Sequence, residues 1–151
     1  MPDRLHPDPF TPGAFRVLFG ATAQSYVDPG DPLRLEFDYV QRICEALDAT
    51  VLARPGPERL RVVHVGGGGL TIPRWVDARR PHTAQIVLEP DAELTEEVRR
   101  KLPLPARSGI KVRAVGGREG IAAMPAAYAD AVILDAFAGA QVPAELATEE
   151  F

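Results

Sequence analysis

The chain has 151 residues, 17 Lys+Arg against 21 Asp+Glu for a net charge of −4, and 46% hydrophobic and 25% charged residues, the composition of a globular domain. Acidity without a Lys/Arg cluster removes the phosphate attraction that nucleic-acid binders use and offers no basic face to anionic lipid, so neither nucleic acid nor membrane is an expected partner. The longest uncharged stretch, 62–73, is far short of the roughly 20 apolar residues that cross a bilayer, and the Pro- and Asp-bearing N-terminus lacks the basic-then-apolar order of a secretory signal, so the expected address is cytoplasmic.

In chain order, 1–13 holds four prolines and little periodic hydrophobicity, which predicts a flexible arm. Next come β-rich 15–19 and 22–27, separated by Gly20-Ala21, a hairpin pattern, and then a turn at 28–32. Apolar residues from Leu33 to Val51 recur at mixed three- and four-residue spacings and predict an amphipathic helix over 33–49. The hairpin and helix form an N-terminal unit, 14–53, closed by the Pro/Gly-rich 54–58. Beyond it, apolar strands at 60–65, 85–88, 110–115 and 131–134 alternate with helical segments, the pattern of a parallel sheet with crossover helices. The first crossover, 71–80, tolerates Pro73 in its first turn. The second has Asp91 as N-cap, acids in its first turn, Arg99, Arg100 and Lys101 in its last, and Pro103 as a stop. The expected fold class is α/β, a Rossmann-like parallel sheet over 59–151 with a small N-terminal β-hairpin unit.

The chemistry-bearing motif is Gly66-Gly67-Gly68-Gly69, directly after an apolar strand and before a helix. Such a turn lets a ligand approach the backbone and points N–H groups at it. The next strand ends in Glu89, about 20 residues on, the spacing of a ribose-binding carboxylate in a Rossmann-type fold. The alternative is a merely structural glycine turn. The motif is not G-x-G-x-x-G and lacks a G-K-[ST] ending, which disfavours NAD, FAD and ATP. A further strand ends in Asp135, a candidate reaction-centre residue facing the same crevice as Glu89, or else a strand-end acid. His64, inside a strand, and Cys44, the only cysteine, read as packing groups; neither a disulfide nor a metal site is expected. Trp75 reads as a helix anchor on the sheet.

Gln24-Ser25, 35–39, Val65-Gly66-Gly67-Gly68, Leu88-Glu89, Asp135, Pro143 and 148–151 together resemble spermidine synthases, nearest to divergent bacterial spermidine synthase-like proteins. The resemblance implies a class I methyltransferase-type domain, no prosthetic group, and decarboxylated S-adenosylmethionine as co-substrate, whose aminopropyl group moves to a di- or polyamine. It implies that Gln24 touches the thioadenosine, the Gly66, Gly67 and Gly68 turn and Glu89 hold the nucleoside, Tyr39 lines the aminopropyl and acceptor site, and Asp135 orients the attacking amine and helps remove its proton.

Against the family pattern, Gly69-Leu70 stand in place of Asp-Gly, Val40-Gln41 in place of His-Glu, Gly117 in place of an adenine-binding Asp, and Ala138 in place of a second acid. Glu119 substitutes for the acid missing at Gly117 only if its loop shifts. The family's catalytic domain also continues beyond the position of Phe151. A C-terminally truncated sheet with an unpaired edge is therefore expected, which a homodimer partner is one way to cover. Two other readings stay open: an S-adenosylmethionine-dependent methyltransferase, and a non-catalytic nucleoside-binding homologue.

Overall fold

Two sheets organise the chain in the computed structural model, which describes residues 4–19 and 22–135. Strands β1 (Leu5–Pro7), β2 (Phe15–Phe19) and β3 (Thr22–Val27) form an antiparallel sheet in that order, with a register shift between Val17 and Leu18. The expected hairpin is present, its tip at Gly20-Ala21 lying outside the described residues. The segment that composition casts as a loose arm instead supplies β1, paired Leu5 to Val17. Two forces dock it. Leu5 is only 2% exposed, in a core cluster with Val17, Val27, Leu70, Val87 and Val98, and Glu97 accepts hydrogen bonds from the backbone N–H groups of Arg4 and Leu5 at 3.0 and 3.3 Å. Glu97 and, in the core cluster, Val98 lie some ninety residues away in sequence, so no local pattern announces them.

Asp28 shapes the next turn, its Oδ1 accepting the Gly30 N–H at 3.0 Å. Helix α1 spans Asp38–Ala49, shorter than the expected 33–49. Leu33, Leu35 and Phe37 alternate with period two, and Phe37, the N-cap, is extended (φ −103°, ψ 137°). Leu35 and Phe37 still pack on the core, so their spacing reflects burial of an extended segment. From Val40 the helical period takes over: Val40, Cys44 and Leu47 are buried. Burial, with the Asp48 charge, pushes the Cys44 thiol up to about 12, which leaves it a packing group.

The second sheet contains β4 (Arg61–Val65), β5 (Ala84–Leu88), β6 (Ile110–Arg113) and β7 (Ala131–Leu134), all parallel in the order β6-β5-β4-β7. This is the expected Rossmann-like α/β arrangement. Helices α2 (Thr71–Arg79), α3 (Ala92–Lys101) and α4 (Gly117–Ala122) connect the strands. On one face, Val62 packs with Ile72, Trp75 and Val76 of α2 and with α1, while Val87 packs with Leu94 and Val98 of α3 and with the N-terminal sheet. The other face, Val63, Val65, Ile86 and Leu88, is covered by Ile121, Met124 and Tyr128. Strands β4 and β5 are buried on both sides, as apolar residues pointing to both faces require, with His64 and Gln85 paired to each other between them. Asp91 caps α3 by accepting the Leu94 N–H at 3.1 Å. The sequence pattern does not mark α4, a six-residue helix; its Gly120 lies against Leu88, where a Cβ would stand 2.6 Å from both δ-methyls. Among the described residues, no helix is long and apolar enough to cross a membrane.

Glu97 is 6% exposed and also accepts from Lys101 at 3.1 Å. Burial pushes its carboxyl up, but the hydrogen bonds from Arg4, Lys101 and Leu5 outweigh this and hold it below the ordinary value of 4.5. Its contribution is therefore present above about pH 4.5 and lost as the pH falls through the lower native value. Replacing Glu97 by Ala leaves two backbone donors without their acceptor and takes one of its partners from the Lys101 ammonium, and is expected to cost about 1–3 kcal/mol in urea unfolding at neutral pH, with a smaller cost in acid.

Candidate functional site

Because β4 lies between β5 and β7, the carboxyl ends of these strands converge, and a crevice there is where a Rossmann-type sheet binds ligands. The chain from Gly66 to Gly69 leaves β4 in a tight turn. Gly66 (φ +88°) and Gly68 (φ +53°) take left-handed backbone that a side chain disfavours. Gly67 and Gly69 are required for space instead. A Cβ on Gly67 would stand 2.6 Å from Val87 Cγ1, and one on Gly69 would stand 2.6 Å from Val27 Cγ2 and 3.0 Å from Val17 Cγ2. Leu70 keeps the left-handed conformation (φ 68°) without being glycine, a strain of about 1–2 kcal/mol offset by burying its side chain to 5% exposure. Arg74, itself buried, ties the turn down by donating to the carbonyls of Gly69 at 3.3 Å and Leu102 at 2.6 Å.

The N–H groups of the turn already have a carboxylate partner. Glu89 Oε1 accepts from Gly67 and Gly68 at 3.2 and 3.3 Å, and its Oε2 accepts from the Asp91 N–H at 3.1 Å. Asp91 in turn binds the Arg4 guanidinium through both oxygens, so the N-terminal sheet is chained to the crevice. On the other flank of β4, Asp135 follows β7, its N–H bonded to the Val65 carbonyl at 2.9 Å. Tyr39, in the first turn of α1, reaches across from the N-terminal unit: its hydroxyl donates to the Gln24 carbonyl at 3.2 Å and contacts the Asp135 carboxyl.

These groups line one cleft of about 370 Å³, within the range of small-molecule sites. Gln24, Tyr39, Gly66, Gly67, Gly68, Glu89 and Asp135 all lie on its wall. Arg4, Pro90, Asp91 and Gly116 line it too without having been singled out as site residues from the sequence, and so does Gly117, one of the departures from the family pattern. For Arg4 no local signal exists, since its place depends on the docking of β1. Glu119 is not on the wall; its carboxylate folds back over Gly116. Pro143 and 148–151, which carry part of the resemblance, and Ala138, one of the departures from it, lie outside the described residues. A second cavity, about 380 Å³ between α3 and β6, shares Gly68 and Glu89 but includes neither Tyr39 nor Asp135.

The cleft electrostatics divide its titratable groups. Burial, with the nearby Glu89 charge, pushes the Asp135 carboxyl up to about 6 against the lowering effect of the Tyr39 hydrogen bond. Burial and then Asp135 push the Tyr39 phenol up to about 12, so it stays protonated. His64, 1% exposed, is held neutral by burial, which pushes it down to about 4. Its Nε2 meets Gln85 Oε1 at 2.7 Å, and Gln85 donates to the Pro73 carbonyl at 2.9 Å, a chain that joins β4, β5 and α2. Asp135 is thus the group in the cleft poised to exchange a proton near neutrality. Among the described residues, no cluster of three or more His, Cys, Asp or Glu could hold a metal ion. Trp75 lies in the core with Arg79 over its ring at 5.9 Å, a helix anchor.

No family model and no curated protein matches the sequence. Among solved structures, the chain is similar to the crystal structure of a probable spermidine synthase from Corynebacterium glutamicum, with 30% identity and a TM-score of 0.87 over 97% of this chain and 52% of that one. The chain therefore spans about half the length of that relative. Together with the strand order, this shows a spermidine synthase-like, Rossmann-type α/β fold.

The packing at Gly69 makes a direct prediction. Gly69→Ala should destabilise the protein by about 1–3 kcal/mol in urea unfolding, because Val17 or Val27 must leave a well-packed contact. An unchanged midpoint would mean that the turn and the N-terminal sheet do not touch as described.

Proposed function

We propose that the cleft binds decarboxylated S-adenosylmethionine and transfers its aminopropyl group to an amine. What carries this reading is the pair of carboxylates flanking the glycine turn, Glu89 held by backbone N–H groups and Asp135 poised near 6 beside a protonated phenol. The similarity to a probable spermidine synthase supports it. Glu89, held in place by the turn N–H groups, accepts the ribose hydroxyls through charge-assisted hydrogen bonds. Gln24 contacts the thioadenosine, and Tyr39 lines the aminopropyl side and fixes Asp135.

In the reaction, the nitrogen lone pair of the acceptor attacks the propyl carbon bound to sulfur. A C–N bond forms and the C–S bond breaks, its electron pair passing to the sulfonium, which leaves as neutral methylthioadenosine. The alkylated ammonium gives its surplus proton to the Asp135 carboxylate. A sulfonium is a good leaving group, so positioning and this proton transfer are the main tasks left to the protein. A second reading, methyl transfer from intact S-adenosylmethionine, is favoured by Gly69, where neither a carboxylate nor the space for one exists to select a donor amine over a donor carboxylate.

Because Asp135 accepts a proton only when ionised, kcat/KM for transfer to a primary amine should rise with pH through about 6, separately from the limb due to the amine itself. Asp135→Asn should remove the lower limb and reduce kcat by about 10²–10⁴-fold. The same limb persisting in Asp135→Asn would assign it to another group and remove Asp135 from this role.

A further inference from the structure

Arg4, the residue before β1, reaches the wall of the cleft from the N-terminal sheet. Its Nη1 and Nη2 donate to the two oxygens of Asp91, a part-buried, two-pronged pair that fixes orientation as a single contact cannot. The hydrogen bond from Arg4 holds the Asp91 carboxyl below its ordinary value against the opposing effect of burial. Asp91 Oδ1 also accepts the Leu94 N–H at 3.1 Å, and the Asp91 N–H donates to Glu89 Oε2 at 3.1 Å. Arg4 is itself anchored from two elements, its N–H donating to Glu97 Oε1 of α3 at 3.0 Å and its carbonyl accepting the Leu18 N–H of β2 at 2.8 Å. The Glu89 carboxylate is thus set from one side by the N–H groups of Gly67 and Gly68 and from the other by a relay that begins at Arg4.

We infer that Arg4 is a positioning residue for the nucleoside: through Asp91 it fixes the Glu89 carboxylate that takes the ribose, so that docking of the N-terminal strand and binding of the nucleoside favour each other. This rests on the nucleoside reading above and adds to it a residue that acts through others. When Arg4 releases Asp91, the segment 89–91 loses its hold on one side. The Glu89 carboxylate gains freedom that an arriving ligand must then remove, and affinity falls. By linkage, a bound nucleoside favours the docked strand by the same factor.

The test is a double-mutant cycle read by calorimetric titration of methylthioadenosine into the unmodified full chain, Arg4→Ala, Glu89→Gln and the double variant, each first shown to be folded by urea unfolding. The expected result is an affinity about tenfold weaker in Arg4→Ala than in the unmodified chain, and a further loss of less than about threefold when Arg4→Ala is added to Glu89→Gln, because the relay then ends on a side chain already altered. Should Arg4→Ala not fold, Arg4→Lys, which keeps the charge but not the two-pronged grip, takes its place in the cycle with the same expected pattern. A lowered unfolding midpoint with unchanged affinity, or the same factor lost in both backgrounds, overturns the inference and leaves the nucleoside reading standing. Failure of methylthioadenosine to bind the unmodified chain removes that reading, and this inference with it.

Discussion

The carboxylate of Glu89 is the tie on which the geometry of the cleft depends. By accepting the N–H groups of Gly67, Gly68 and Asp91, it joins the end of β4 to the end of β5 and to the start of α3. Asp91 then passes the connection to Arg4, and so to the antiparallel sheet that roofs the cleft. The turn donors, half-buried at the cleft wall, are satisfied by Glu89, which is itself fixed in place. A side chain held this way loses little freedom when a ligand arrives, the preorganisation that binding sites need.

Close packing sets the second constraint. The turn is pressed between Val87 on one side and Val17 and Val27 on the other, so closely that positions 67 and 69 accept no Cβ. The contact secures the N-terminal sheet over the turn. The packing of the roof and the path of the turn along the cleft wall are thus set by the same few atoms.

The sequence made the parallel sheet legible because each strand is a short apolar run bounded by turn residues, and β7 spans the expected 131–134. Helix α3 was legible through its cap and its end charges. What escaped local reading depends on distant partners or on a change of period. The docking of β1 rests on Glu97 and a core pocket far along the chain, the alternation of Leu33, Leu35 and Phe37 mimics a helical stripe, and six-residue α4 depends on Gly120 meeting Leu88. In the cleft, the strand-terminal positions of Glu89 and Asp135 could be placed from strand order alone. Gln24 and Tyr39 came from resemblance only, since nothing in their local pattern marks them. The capture of the glycine N–H groups by Glu89, in place of groups left open to a ligand, needed the three-dimensional arrangement.

The account is tested most directly by titrating methylthioadenosine into the unmodified protein and into Glu89→Gln by calorimetry. The account predicts binding by the unmodified chain and a loss of roughly 10–100-fold in Glu89→Gln, because a charge-assisted contact to the ribose becomes a neutral one. Equal affinity of the two proteins for the nucleoside would contradict it.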